Sequence, residues 1–228
     1  MNIILIILIV IFIILIPITI FLYRWIPFQD RKKMMINLGF SEMRFIESYI
    51  SGKIRKLIQT PLKKKNVFRF SSEGAQFIVI FTNSPSLFID EENYFITIIS
   101  EKIQLPRFIL TSKLNLTNRL DSIMSSTMDQ LTKMETSDKN LNKIEIKDYP
   151  DLNKKFVLLG NDKKLINQFF TTDKSGKISQ IKNRFELFAD HDLFTIKLDT
   201  YLLDEISEEE KMRRAIKLAR RVYRIFSS

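Results

Sequence analysis

The chain has 228 residues and a formal net charge of +10, with 36 lysines and arginines against 26 aspartates and glutamates. It has no cysteine, which excludes disulfide bonds and thiolate metal sites. A single histidine and five glycines argue against a histidine-rich metal site and a glycine-rich phosphate-binding loop.

Residues 3–22 form an unbroken apolar run in which Thr19 is the one polar side chain. Twenty helical residues span about 30 Å, the thickness of the hydrocarbon core of a bilayer. A cleaved signal peptide would need small residues at a cleavage site, and the first alanine of the chain is Ala75. The sequence therefore predicts an uncleaved transmembrane anchor over residues 1–25, with residues 3–22 in the bilayer.

Basic side chains flank this run on its C-terminal side alone, at Arg24, Arg31, Lys32 and Lys33. Cytoplasmic flanks of membrane helices carry an excess of lysine and arginine. We therefore expect a single-pass protein of the inner membrane, with its N-terminus outside and its C-terminal domain in the cytoplasm.

Apolar residues between positions 28 and 57 recur mostly at three- and four-residue steps, with an interruption at Gly39. This spacing predicts helix within a juxtamembrane segment, residues 26–65, which Thr60-Pro61 ends. Strand-forming runs at 67–70 and 76–82 flank a glycine-containing break and predict a hairpin. Two more strands are predicted at 94–101 and 103–110. Pro106 cannot donate to a strand ladder, so the second of these is an edge strand or a bulged one.

Residues 119–135 predict a helix with one apolar face, which packs on the domain or forms an adaptable methionine-rich docking surface. That face consists of Leu120, Ile123, Met124, Met128, Leu131 and Met134. Strands at 144–146 and 156–159 flank a predicted turn at 149–151. Asp162 is the expected N-cap of a helix over 163–170.

The last third of the chain predicts three more elements. Ile178 and Ile181 belong to a short helical piece, and a hairpin turns across 190–192. The final helix begins after Ser207 and runs to about Phe226. Its first turn is acidic and its later turns are basic, as the helix dipole favours.

The predicted fold is α+β, with an N-terminal transmembrane helix, antiparallel strands with flanking helices, and a long amphipathic C-terminal helix. The soluble domain spans residues 66–228. Two strand-rich stretches, 66–113 and 144–228, are candidate sub-lobes joined by the helix at 119–135.

The sequence offers no constellation for catalysis. His191 lies between two aspartates at a hairpin turn, where polar residues are expected on structural grounds. The acidic cluster 90–92 also falls in a predicted turn. We therefore predict a protein that is not an enzyme and has no catalytic, cofactor-binding or metal-binding residues and no cofactor. Nucleic acid is not an expected partner, because no basic stripe is interleaved with aromatic residues.

Basic side chains are the candidate contacts to lipid or to a protein partner. They are Arg31, Lys32, Lys33, Lys63, Lys64, Lys65, Arg213, Arg214, Lys217, Arg220, Arg221 and Arg224.

Three short motifs resemble a family of uncharacterised bacterial proteins that have an N-terminal membrane segment and a cytoplasmic α/β module. The matching residues are Leu105, Pro106, Phe108, Leu110, Ile144, Tyr149, Pro150, Phe156, Leu158, Gly160 and Asp162. The resemblance covers roughly residues 37–226. It implies an architecture and no catalytic residues.

These features favour a non-catalytic interaction or scaffold protein, held at the membrane as a subunit of a membrane complex with a protein partner. One alternative is a module that binds anionic lipid through the basic segments 31–33, 53–56, 63–65 and 211–224. A second alternative is an enzyme with an unrecognised carboxylate site.

Overall fold

The computed structural model describes residue 15 and residues 29–43, 46–58, 67–83, 92–113, 141–146, 148–198 and 206–228. Of the predicted anchor only Leu15 is described, in helical conformation. The predicted helix at 119–135 and the lysines at 63–65 lie outside the described residues. In the ranges that are described, no helix is long and apolar enough to cross a membrane.

The described part of the chain is α+β, with nine strands in one sheet and six helices. The strands are β1 (Ser41–Glu42), β2 (Val67–Ser72), β3 (Ala75–Asn83), β4 (Glu92–Ile99), β5 (Leu105–Ser112), β6 (Asn142–Ile144), β7 (Phe156–Gly160), β8 (Phe185–His191) and β9 (Leu193–Leu198). The helices are α1 (residues 29–37), α2 (Ser48–Ile58), α3 (Pro150–Lys155), α4 (Lys163–Phe169), α5 (Thr172–Ser179) and α6 (Glu208–Ser227).

The sheet is antiparallel throughout, in the order β1-β2-β3-β4-β9-β8-β5-β7-β6. The β8–β9 hairpin lies between β4 and β5, which are consecutive in the sequence. The stretches 66–113 and 144–228 therefore share one sheet and do not form two sub-lobes. The segment 26–65 also joins this sheet, since β1 pairs with β2.

Side chains alternate between two faces of the sheet, and each face has its own core. On β3, Phe77, Val79 and Phe81 point into the larger core, which α6 and α1 help to enclose. Ile78 and Ile80 point to the opposite face and pack with Ile54 of α2. The sheet is thus a middle layer with helices on both sides.

The two predicted hairpins are confirmed. The turn between β2 and β3 consists of Glu73 and Gly74, with φ of 58° and 77°. Two consecutive left-handed residues give the turn whose twist matches that of paired strands. His191 also has a positive φ, 53°, at the turn between β8 and β9.

The helix predicted over 28–57 is instead α1, β1 and α2. Gly39, with φ of 86°, ends α1. The Phe40 N–H bonds to the Met35 carbonyl and the Gly39 N–H to that of Ile36, both at 2.9 Å. This is the Schellman arrangement, in which a left-handed glycine closes a helix. The chain then reverses into the sheet.

Pro106 has one of its two predicted roles, and Pro150 has a role that was not predicted. Pro106 is in β5, an interior strand between β8 and β7, so the edge position is wrong. The register shifts between Leu105 and Phe108, which confirms the bulged alternative. Pro150 is not in a simple turn but opens α3, where its missing N–H costs nothing.

Helix α1 runs along β3. The Arg31 guanidinium lies 5.7 Å from the ring centroid of Phe81, at one end of that strand. The Phe40 ring lies 5.4 Å from that of Phe70, which pairs with Phe77 nearer the other end. Helix α1 therefore begins at the Phe81 end and finishes at the Phe77 end.

Helix α6 points the same way across the same face. The charge of Glu208, in its first turn, acts on Tyr94, which pairs with Phe81. The Tyr223 ring, near its last turn, lies 6.1 Å from that of Phe77. Both helices therefore begin at one end of the sheet, and the last turns of α6 lie at the other.

Candidate functional site: the basic surface of the C-terminal helix

Helix α6 forms as the sequence predicts. The Ser207 hydroxyl accepts a hydrogen bond from the Glu210 N–H at 3.3 Å, which caps the first turn. The acidic first turn complements the helix dipole. The apolar stripe of this amphipathic helix is buried. Its members are Met212, Ala215, Ile216, Leu218, Ala219, Val222, Tyr223, Ile225 and Phe226.

Aromatic packing holds the last turn of α6. The Phe226 ring lies 5.3 Å from that of Phe194, 5.1 Å from that of Phe169 and 6.1 Å from that of Phe108. These edge-to-face contacts join the helix to the centre of the sheet and to α4. Burial of these rings fixes the height of α6 above the sheet.

Polar contacts hold the same end of α6 to two turns of the sheet. The Tyr223 hydroxyl donates to the Glu73 carbonyl oxygen at 3.2 Å and lies 3.2 Å from Ser100 Oγ. Ser100 Oγ in turn lies 3.0 Å from the Gly74 carbonyl oxygen. We call the contacts of Glu73, Gly74, Ser100, Tyr223 and Arg224 the polar latch.

The ion pair of Arg224 with Glu73 completes the polar latch. Arg224 Nε lies 2.9 Å from one carboxylate oxygen and the terminal nitrogen 2.5 Å from the other, a two-pronged arrangement. The hydrogen bond from Arg224 lowers the pKa of the Glu73 carboxyl, and that carboxylate raises the pKa of Arg224. Both groups are exposed, so solvent weakens the pair.

The basic residues of α6 divide into two sets. Four have acidic partners: Lys211 with Glu208 at 2.8 Å, Arg213 with Glu209 at 2.6 Å, Arg214 with Glu210 at 2.9 Å, and Arg224 with Glu73. Lys217, Arg220 and Arg221 form no ion pair with another described residue, although the charge of Arg220 contributes to lowering the pKa of the Glu73 carboxyl. Their spacing of three and four residues places them together on one side of the helix.

Arg220 is held in place by an aromatic ring. Its guanidinium carbon lies 5.1 Å from the ring centroid of Phe70, a distance at which the cation is attracted to the ring face. Its Nε is buried and has no hydrogen-bond acceptor in the part of the chain that the structure describes. The side chain is therefore oriented before any partner arrives.

A second basic group borders α6 on the side of α5. Lys155 donates to the carbonyl oxygens of Ser179 and Ile181, which lie 2.8 Å and 2.5 Å from its Nζ. Desolvation lowers the pKa of Lys155, and the charges of Lys182 and Arg221 lower it further. The charges of Lys182 and Arg221 therefore both act on Lys155.

Four basic residues of α6 and of the segment after α5 form no ion pair with a described residue: Lys182, Lys217, Arg220 and Arg221. Arg220 is half-buried and the other three are exposed.

The structure does not bring all the predicted basic residues together. Arg31 stacks on Phe81 at the far end of the sheet. Lys32 pairs with Glu42 at 2.7 Å, and Lys33 is exposed on α1. Arg213 and Arg214 are neutralised within their own helix, and Arg224 belongs to the polar latch.

The acidic residues at the turn between β8 and β9 have structural contacts. Asp192 accepts from Lys53 of α2 at 2.7 Å and 2.9 Å. This hydrogen bond raises the pKa of Lys53, whose ammonium also lies 4.4 Å from the ring centroid of Tyr49. Asp190 contacts His191. In the described ranges, no cluster of three histidine, aspartate or glutamate side chains could hold a metal ion.

Sequence reasoning missed Glu73, Ser100 and Phe70, which fix the end of α6 and orient Arg220. Glu73 and Arg224 are 151 positions apart, and Ser100 and Tyr223 are 123 apart. No local pattern relates residues at such separations. Only the strand order places them side by side.

Comparison with known proteins identifies a related fold and no family. No protein-family model matches the chain, and no curated protein sequence matches it. A solved structure with a similar fold is the crystal structure of the mycobacterial trehalose monomycolate transport factor A, TtfA. The match has a TM-score of 0.51 and 8% identity, and covers 87% of this chain and 93% of that one. The chain is thus similar to TtfA in fold.

Proposed function

We propose that this chain is a membrane-anchored, non-catalytic interaction or scaffold protein. Residues 3–22 cross the inner membrane with the N-terminus outside. The α+β domain faces the cytoplasm and binds a protein partner as part of a membrane complex.

The main support for this proposal is that α1 follows the predicted anchor closely in the sequence and packs into the core of the domain. Six residues separate Leu22, the end of the predicted anchor, from Gln29, the first residue of α1, and the seven Cα–Cα steps between these two residues reach at most about 25 Å. Met35 is fully buried and Phe40 is 4% exposed, so α1 is part of the larger core. A domain attached in this way stays close to the bilayer and has a restricted orientation. Such a restriction suits a protein that presents one surface to a neighbour.

Two ion pairs of the described residues have structural roles. Asp192 with Lys53 joins α2 to a turn, and Glu73 with Arg224 joins α6 to another. The fold is also similar to that of TtfA, a mycobacterial trehalose monomycolate transport factor.

Co-purification tests the proposal. The full chain carries an affinity tag after Ser228 and is extracted in a mild detergent. We expect one or a few proteins to co-purify reproducibly. In a matched control, residues 1–25 are replaced by an unrelated transmembrane helix, and the same proteins should still co-purify because the domain makes the contacts. A chain that is solitary in repeated preparations contradicts the proposal.

Reporter fusions test the orientation separately. A reporter that functions only in the cytoplasm should be active when it is fused after Ser228. One that functions only outside should be inactive there, and activity of the outside reporter would refute the orientation.

A further inference from the structure

Helix α2 carries an aromatic side chain on its outer side. Tyr49 is 67% exposed, more than any other large hydrophobic side chain among the described residues. Ile50 and Ile54 of the same helix instead pack on the sheet. A single exposed aromatic residue is common on protein surfaces. Its neighbours therefore decide whether it belongs to a binding surface.

Polar contacts hold the Tyr49 ring in its exposed position. Lys53 Nζ lies 4.4 Å from the ring centroid, close enough for the cation to be attracted to the ring face. The same ammonium lies 2.7 Å and 2.9 Å from the two carboxylate oxygens of Asp192, at the turn between β8 and β9. The ring therefore loses little conformational freedom when a ligand covers it.

Two cations lie on the same side of α2 as Tyr49. Arg55 and Lys56 are exposed in the last turn of the helix, and neither forms an ion pair with a described residue. Successive helical residues are about 100° apart, so Tyr49, Gly52, Arg55 and Lys56 occupy about 120° of the helix circumference. At its centre, a methyl group on Gly52 would meet no atom within 4 Å. We call these four residues the α2 surface.

The chemistry and shape of the α2 surface fit a lipid headgroup layer. Tyrosine rings settle at the headgroup level of a bilayer, and lysine and arginine beside them are attracted to anionic lipids. Peptides are bound in grooves or along sheet edges, whereas the α2 surface is the convex outer side of one helix. Its two unpaired cations are few for nucleic acid, whose specific binders contact roughly 6–10 phosphates.

We propose that the α2 surface is a contact site for the anionic lipid headgroups of a bilayer. Helix α2 covers the sheet face opposite the one that α1 and α6 cover. This contact therefore turns α6 away from the bilayer, where its outer side is accessible to a protein. The inference rests on the membrane attachment in the proposed function and adds the orientation of the domain.

A fluorescent label at the centre of the α2 surface tests the proposal. The chain has no cysteine, so Gly52→Cys accepts a single environment-sensitive fluorophore and leaves Tyr49, Arg55 and Lys56 in place. The full chain is placed in nanodiscs of phosphatidylcholine with or without phosphatidylserine. We expect emission at shorter wavelength, and quenching by spin-labelled lipid, when phosphatidylserine is present. The control is a label at Leu165→Cys, because Leu165 is 52% exposed on α4, at the other face of the sheet, and should not respond.

Charge variants of the Gly52-labelled chain test the role of the cations. Each lysine or arginine near an anionic bilayer surface contributes about 1 kcal/mol, so Arg55→Gln/Lys56→Gln should lower the ratio of lipid-bound to free domain about 10- to 30-fold. Lys163→Gln/Lys164→Gln removes the same charge from the exposed side of α4 and should change that ratio less than about twofold. Circular dichroism of each variant verifies that it folds.

Three results would overturn the inference. The first is a Gly52 label that does not respond to phosphatidylserine, or responds no more than the Leu165 label. The second is an equal loss of lipid contact in the two charge variants. The third is a stronger response of the Gly52 label to a hexaglutamate peptide or a single-stranded oligonucleotide, which would assign the surface to a protein or to nucleic acid.

Co-purification separates this inference from the proposed function. If partner proteins co-purify with the wild-type chain and the Gly52 label does not respond to lipid, the proposed function stands and the inference fails. If the label responds and the chain is solitary, the α2 surface binds lipid and the role in a protein complex is refuted.

Discussion

Gly160 at the end of β7 has no room for a side chain. A methyl group there would lie 2.0 Å from Ile166 Cδ1, 3.1 Å from Ile144 Cδ1 and 3.4 Å from the Arg107 carbonyl oxygen. Ile166, on the buried side of α4, is fully buried and Ile144 is 4% exposed, so neither side chain can swing into solvent. The requirement for glycine at this position is therefore one of space.

The substitution Gly160→Ala should destabilise the domain by about 1–3 kcal/mol, the usual cost of overpacking a core. Ile166→Val alone removes the methyl group nearest the new Cβ and should cost about 0.5–1.5 kcal/mol. Because that change removes the closest clash, the double variant should be at least about 1 kcal/mol more stable than the sum of the single effects predicts.

Urea denaturation of the full chain in a mild detergent, followed by circular dichroism, measures these free energies. Gly52→Ala is the control, because a methyl group at Gly52 meets nothing within 4 Å. Gly52 lies inside α2, so this change should stabilise the protein by about 0.5–1 kcal/mol. Additive effects of Gly160→Ala and Ile166→Val, or a harmless Gly160→Ala, would refute the steric argument.

Three further changes test the caps, the buried hydroxyls and the polar latch by the same measurement. Asp162→Ala removes the cap of α4 and should cost about 1 kcal/mol, whereas Asp162→Asn should cost less; equal losses would refute the capping role. Tyr223→Phe should lower the free energy of unfolding by about 1 kcal/mol, because it removes a hydrogen bond to Glu73. Tyr94→Phe should be neutral or stabilising, since the buried Tyr94 hydroxyl has no hydrogen-bond partner among the described residues. A larger loss for Tyr94→Phe than for Tyr223→Phe would contradict this reasoning. Arg224 lowers the pKa of the Glu73 carboxyl in the folded state. The ion pair therefore stabilises the fold fully above the unfolded-state pKa of a glutamate, about 4.3, and this stabilisation is lost as the pH falls through the lower folded-state pKa of Glu73. The stability difference between wild type and Glu73→Gln should therefore shrink on acidification, and a constant difference from pH 7 to pH 3 would refute this.

Local signals in the sequence were sufficient for most individual elements. The hairpins around Gly74 and His191, the cap at Asp162 and the whole of α6 were predicted because their causes lie within a few neighbouring residues. The break after α1 was marked by Gly39 but read as an interruption of one helix. The two residues of β1 carry no pattern of their own, and pairing with β2 makes them a strand.

Strand order and ion pairs could not be predicted from local sequence patterns, because both depend on residues that are far apart in the chain. Pro106 restricted β5 to an edge or a bulge, and only the neighbours of β5 decide between the two. Six of the seven basic residues of α6 were predicted as candidate contacts, yet the ion pair of Arg224 with Glu73 depends on a turn 151 positions away. The unpaired set of Lys217, Arg220 and Arg221 therefore emerged only from the structure.

The placement of the β8–β9 hairpin between β4 and β5 sets the order in which the protein can be completed. Until residues 185–198 have been synthesised, β4 and β5 each have an unpaired edge. Exposed strand edges invite pairing with other chains, and such non-local closures are slow. Completion of the sheet is therefore a late event. The β8–β9 hairpin, in the last quarter of the chain, joins the strands β1 to β4 to the strands β5, β7 and β6.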